Sequence, residues 1–205
     1  MPRAGASTMP TRFEGAGWRY AAIGLNLAIR AMMVFFTIEA LAAPDDDPRF
    51  EDKGIGIRNA VVMVTYTMVF PAIHLLRRRM WSSYPWWTDS LWLSILWLDM
   101  LGNSLHLYET WYYFDLIPHS TGPGALTVVL MEALRLPFGS SVAIVQIVHI
   151  LHEAQEYYFD VYFGTENVAH LRETINDLLV GIAGSIAYGI GYSRLRHGRW
   201  WPGWR

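Results

Sequence analysis

Six stretches of the chain approach or reach the roughly 20 apolar residues that a helix needs to cross a bilayer. They cover 18–43, 57–76, 87–112, 122–137, 140–163 and 171–192, the fourth being the shortest. A chain built this way must hide its backbone polar groups in helices, because hydrocarbon offers them no partner. Of the 205 residues, 53% are hydrophobic and 17% charged, below the usual ~25% charged. Such a chain has ample apolar surface to bury and is not disordered. It has no Cys, so disulfides and Cys-ligated metals are excluded. The net charge of −2 gives no general basic field, and nucleic acid is not an expected partner.

Lys and Arg between the stretches set an orientation. Arg3, Arg12, Arg19, Arg77, Arg78, Arg79, Arg135, Arg194, Arg196, Arg199 and Arg205 fall on one set of alternate loops, against Arg49, Lys53, Arg58 and Arg172 on the other. The expected architecture is therefore an all-α polytopic bundle of six transmembrane helices with both termini cytoplasmic. Residues 1–17 form a cytoplasmic tail, 18–195 the six-helix domain, and 196–205 a cytoplasmic Trp/Arg-rich tail. The expected location is a bacterial inner (plasma) membrane, with membrane lipids as partners. Ala40-Leu41-Ala42 resembles a signal-peptidase site, but Arg30 splits the apolar run before it and Glu39 adjoins it, so cleavage is not expected. Trp81, Tyr84, Trp86 and Trp87 open the third stretch, Trp111, Tyr112 and Tyr113 close it, and Trp200, Trp201 and Trp204 follow the last. They read as an interfacial aromatic belt.

Polar residues inside these stretches fall at helical spacing. Asp99, Asn103 and His106 share one face of the third helix, followed by Tyr108 and Glu109 and then by Asp115 and His119. On the fifth, Gln146, His149, Glu153, Glu156 and Asp160 form one stripe, flanked by His152. The sixth opens with Arg172, Glu173, Thr174 and Asp177 before Gly181. An ionisable residue within a span costs about 2.5–3.5 kcal/mol on insertion scales, so a whole stripe must face the bundle interior or water. With the deduced orientation, Asp115, His119, Glu156, Asp160, Thr174 and Asp177 lie toward the outer end, and Asp99 and His149 lie deeper. The third, fifth and sixth helices are expected to be mutual neighbours around one outward-opening pocket, with Arg30 reaching Asp99 as its counter-ion. Gly181, Ser185 and Gly189 form a small-residue stripe that reads as helix packing.

The run from Asp99 to Gly122 (DMLGNSLHLYETWYYFDLIPHSTG), the later HEAQEYYFDVYFGTEN and the closing ETINDLLVGIAG resemble the YjdF-like bacterial membrane proteins of unknown function. The likeness rests on His106-Leu107-Tyr108, Asp115 with His119, Glu153 with Glu156, and Thr174 with Asp177. Glu173 stands where that family usually has Asp, and Pro118-His119-Ser120 where His-Phe is usual. The last two helices are also similar to VanZ-like membrane proteins. The resemblance spans about residues 99–185 and implies a fold and a residue set rather than a reaction.

Three readings follow from the stripes. In the first, Asp115, His119, Glu153, Glu156 and Asp177 are catalytic, and Asp115, His119, His149, His152, Glu153 and Glu156 supply ligands for a divalent metal, the candidate cofactor. Carboxylate and His pairs one helical turn apart on facing helices can hold one or two ions, although no H-E-x-x-H signature occurs. Asp99, Asn103, His106, Tyr108, Asp160, Arg172 and Thr174 support that pocket, which would bind or process a small polar or lipid-linked ligand. In the second, the same groups carry ions or protons, against which the lack of a visible inverted repeat counts. In the third, they only hold the helices together.

Overall fold

In a computed structural model of the protein, residues 16–44, 46–51, 55–77, 79–164, 168 and 171–197 are described. The expected tails fall outside these residues except at 16–17 and 196–197, as do Arg3, Arg12, Lys53, Arg78, Arg199, Arg205, Trp200, Trp201 and Trp204. Among the described residues there are seven helices and no strand. They are α1 (Ala16–Ala42), α2 (Ile55–Leu76), α3 (Trp86–Ser104), the single turn α4 (Leu107–Thr110), α5 (Leu116–Ala133), α6 (Phe138–Phe163) and α7 (Leu171–His197).

Three of the helices bury polar residues while leaving aliphatic ones exposed, unlike the helices of a water-soluble bundle, whose exposed face is polar. On α1 the buried stripe includes Asn26 and Thr37, while Leu27, Phe35, Ile38 and Leu41 are exposed. On α2, Asn59, Thr67 and His74 are buried and Ile57, Val61, Val64 and Leu76 exposed. On α7, Asp177 and Ser185 are buried and Ile175, Leu179, Ile182 and Ile186 exposed. Polar and small residues inside with aliphatic residues outside is the arrangement of helices surrounded by hydrocarbon. Gly17–Ala42, Ile55–Leu76 and Leu171–Arg196 are long and apolar enough to cross a membrane. The fold is thus all-helical and compatible with a membrane protein.

The helices pack as two triples. In the first, α1 lies along α3 and α2 rests on both; in the second, α5 lies along α7 and α6 rests on both. The triples join where α3 meets α5. Ile29, Met33, Phe36, Leu93, Leu96 and Met100 fill the α1–α3 interface. The α5–α7 approach depends on small residues, because a Cβ on Gly124 would collide with the Tyr188 ring and one on Gly184 with the backbone of Ser120. The expectation that the third span, α3, neighbours α6 and α7 is therefore wrong: α5 occupies that central position.

Two of the helix boundaries that differ from expectation matter for the site. Helix α3 ends at Ser104 rather than near 112, because His106 takes a left-handed backbone (φ 56°) and turns the chain. Phe114 then folds back over Gly102, where a Cβ would strike its ring. Helix α5 starts at Leu116 rather than 122, so His119 belongs to it and Asp115 precedes it directly. Pro118 is tolerated in the first turn, where backbone N–H groups have no helical acceptor, and Pro123 instead leaves the His119 carbonyl without its usual i+4 donor. Read singly, Pro118, Gly122, Pro123 and Gly124 are breakers; buried, Gly122 against α3 and Gly124 against α7, the glycines become contact surfaces.

Candidate metal centre

At the start of α5, halfway along α6 and in the second turn of α7, the chain brings together several groups that the spacing singled out. His119 Nδ1 lies 3.2 Å from His149 Nε2 and 3.4 Å from Glu153 Oε1. His149 Nε2 is 3.4 Å from the same oxygen, His149 and Glu153 being one turn apart on α6. Three ligand atoms thus form a nearly equilateral triangle. His149 and Glu153 are buried, and Glu153 Oε1 has no hydrogen-bond donor. An ion held tetrahedrally at ~2.0–2.1 Å sets ligand–ligand edges of about 3.3–3.4 Å, as for zinc. An octahedral ion at about 2.1 Å would set edges nearer 3.0 Å. The triangle matches the face of a tetrahedron.

The groups behind the triangle orient it. His119 presents its other nitrogen, Nε2, to Asp115 Oδ1 at 3.4 Å, and Asp177 lies close to both. A carboxylate on the far nitrogen of a ligating imidazole fixes its tautomer and raises its basicity. His149 is held differently: its ring lies against the backbone of Gly181, where a Cβ would overlap Cε1 and Nδ1. The small-residue stripe is thus part of the site's wall as well as a packing surface, with Ser185 accepting a hydrogen bond from Gln146 at 2.9 Å. Along α6, His152 and Glu156 continue the cluster from Glu153. His152 Nδ1 is 3.5 Å from Glu156 Oε2, and its side chain is 54% exposed.

Other expected members sit elsewhere. Asp99 is not paired with Arg30; Arg58 of α2 donates to its Oδ2 at 2.5 Å, and Tyr108 and Asn103 donate to Oδ1 at 3.1 and 3.3 Å. Arg58, read as a loop residue, is helical and lies within reach of Asp99 because α2 begins at Ile55. His106 is beyond the end of α3 and lies 3.2 Å from Glu109, so it does not share the Asp99–Asn103 face. Asp160 accepts from the Val168 backbone N–H at 2.8 Å and its carbonyl receives Gly164 N–H, which closes the end of α6. Arg172 is exposed and Thr174 half-buried at the start of α7.

Three polar networks were missed. Arg30 donates to Asp89 Oδ2 at 2.6 Å, an oxygen that also accepts from Asn26 at 3.0 Å and Tyr84 at 2.8 Å. Tyr84 is therefore buried rather than interfacial. Asn26 and Arg30, one turn apart in an apolar run, were the available signal. Near the other end of α1, Arg49 reaches Glu39 at 2.6 Å and Asp47 at 2.8 Å. Hydrogen bonds from Arg49 hold the Asp47 carboxyl below its ordinary value. The third network joins Glu132 to Tyr192, Arg196 and Arg135.

No family model, no curated protein and no solved structure matches the chain.

Proposed function

We propose that the chain is a six-span protein of a bacterial inner membrane, with both termini cytoplasmic, and that it holds a divalent metal, zinc by its geometry, on His119, His149 and Glu153. The triangle of ligand atoms at 3.2–3.4 Å carries this reading. Helices α3, α5 and α6, at 19, 18 and 26 residues, have the length of three further spans beside the three apolar ones. With the Lys/Arg asymmetry, the metal centre would lie toward the outer end. Kinship with the YjdF-like and VanZ-like proteins, proposed on the motifs alone, fits the same residues.

Three protein ligands leave a coordination position open, the mark of a catalytic rather than a structural zinc site. A bound water there would ionise near neutral pH and could attack a polarised ester or amide. Glu156, half-buried and one turn beyond Glu153, is placed to take the proton, and Asp115 and Asp177 steady His119. The substrate class that fits is a small polar or lipid-linked molecule arriving at the outer leaflet.

Metal content tests this. Protein purified in detergent should carry about one zinc per chain, lost on replacing Glu153 and Glu156 by Gln with the fold retained. Arg172→Gln, at an exposed position, should leave the metal in place. A Glu153/Glu156 double variant that collapses, beside a harmless Arg172→Gln, would favour the structural reading. For topology, a reporter active only outside the cytoplasm should be silent when fused after Arg205.

One observation favours transport as a second reading. The two triples α1–α2–α3 and α5–α6–α7 repeat the same packing order, and with three spans each they would be inverted relative to one another, as in many secondary transporters. Metal or proton flux into vesicles holding the protein separates this from hydrolysis.

A further inference from the structure

At the end of the bundle remote from His119, the loop between α5 and α6 and the last turns of α7 line a half-open cavity of about 300 Å³. Arg135, Arg196, Tyr192 and Ser193 supply its polar wall, and Leu136 and Phe138 are among its apolar lining. The charges do not balance. Glu132 faces two guanidinium groups, Arg135 and Arg196, each 3.5 Å from one of its oxygens, and accepts the Tyr192 hydroxyl. Among the described residues, one positive charge is left over in a part-apolar niche.

Arg135 also occupies a position that normally selects glycine. It follows the end of α5 with φ 59°, in the left-handed region where a side chain of this size is uncommon. Glycine there would relieve the backbone and remove the guanidinium. Its side chain is 55% exposed, open to a ligand as well as to Glu132.

We propose that this cavity binds a phosphate monoanion or diester between Arg135 and Arg196, and that its source is the headgroup of an anionic phospholipid. Arginine pairs suit phosphate because the guanidinium fork donates two parallel hydrogen bonds. The apolar wall suits the start of an acyl chain, which a free phosphate would leave unused. Basic niches between helices at the cytoplasmic surface are recurrent phospholipid sites, and Arg135 after α5 and Arg194 and Arg196 in the last turns of α7 belong to the set of arginines that the sequence assigns to the cytoplasmic side.

The test uses the full chain in nanodiscs of phosphatidylcholine alone or with added phosphatidylglycerol, followed by Trp fluorescence on heating and by lipid retention in native mass spectrometry. The anionic lipid should raise the unfolding temperature and co-purify, and Arg135→Gln with Arg196→Gln should lower retention by on the order of tenfold. Glu132→Gln should change retention in the opposite direction, a sign that a purely structural network would not give. Arg19→Gln, at an exposed position on α1, should behave as the unaltered protein. Inorganic phosphate added to the phosphatidylcholine discs distinguishes the sources: stabilisation by phosphate alone, equal to that by the lipid, would overturn the lipid assignment. Retention that survives in the double Arg variant, or falls in Glu132→Gln, would overturn the site. If the double variant fails to fold, the Glu132→Gln result decides.

Discussion

Replacing Gly181 by Ala would put a methyl group inside the van der Waals envelope of the His149 ring, overlapping both Cε1 and Nδ1. Carbon atoms rest about 3.5–4.0 Å apart, so the ring must retreat by on the order of 1 Å. The other near neighbour, the His119 carbonyl oxygen at 3.3 Å, is backbone and can yield little. Metal–ligand distances tolerate only about ±0.2 Å, so a shift of that size removes Nε2 from the triangle with His119 and Glu153. Loss of one of three ligands should weaken zinc binding at least 100-fold, while overpacking costs about 1–3 kcal/mol of stability. Gly139→Ala on α6 is the control, since nothing lies within 4 Å of its Cβ position. It should leave zinc affinity unchanged and add up to about 1 kcal/mol from helix propensity. Zinc titration calorimetry in detergent, with circular dichroism to follow the helices, reads both effects. Zinc affinity in Gly181→Ala within threefold of the parent protein, at unchanged stability, would refute the claim that α7 fixes His149.

The buried Arg30–Asp89 pair should be cooperative with the fold. Breaking such a pair costs about 3–5 kcal/mol, reduced here to about 2–3 because Arg30 is 20% exposed and keeps Thr67 O at 2.6 Å and Asn26 Oδ1 at 2.9 Å. A double-mutant cycle of Asp89→Asn and Arg30→Gln in a denaturing-detergent titration should give a coupling above about 1 kcal/mol; strict additivity would contradict it. The Arg49 tie of the α1–α2 loop should be acid-labile. Because Arg49 depresses the Asp47 carboxyl below 3.8, the stabilisation is complete above that value and disappears as pH falls through the lower folded value. Pepsin cleavage of this loop should therefore accelerate as the pH falls through the range below the carboxyl's ordinary value, and Arg49→Gln should remove the step; a pH-independent difference between the two proteins would count against it.

What could be read from the sequence followed from periodicity. The starts of α1, α2, α3, α6 and α7 fall within two residues of the expected ones, since long apolar runs report helices directly. Asp115–His119 and His149–Glu153 were legible for the same reason: one-turn spacing puts two groups on one face wherever the helix goes. Which faces meet was not legible. Asp99 looked like a member of the site because α3 carries it on a polar stripe, yet the stripe is answered by Arg58 from α2. Asp89 drew no attention because its partners, Asn26 and Arg30, lie some sixty residues away. The start of α5 was hidden by Pro118 and by Gly122, Pro123 and Gly124. Those residues break isolated helices but permit close contact inside a bundle.

The coordination shell of zinc-loaded protein is the most direct test of the central claim. X-ray absorption at the zinc edge should report four light-atom ligands at about 2.0–2.1 Å, with the multiple scattering of two imidazoles, falling to one imidazole in either His119→Ala or His149→Ala. A shell without imidazole, or one unchanged in both variants, would show that the His119–His149–Glu153 triangle is not a metal centre.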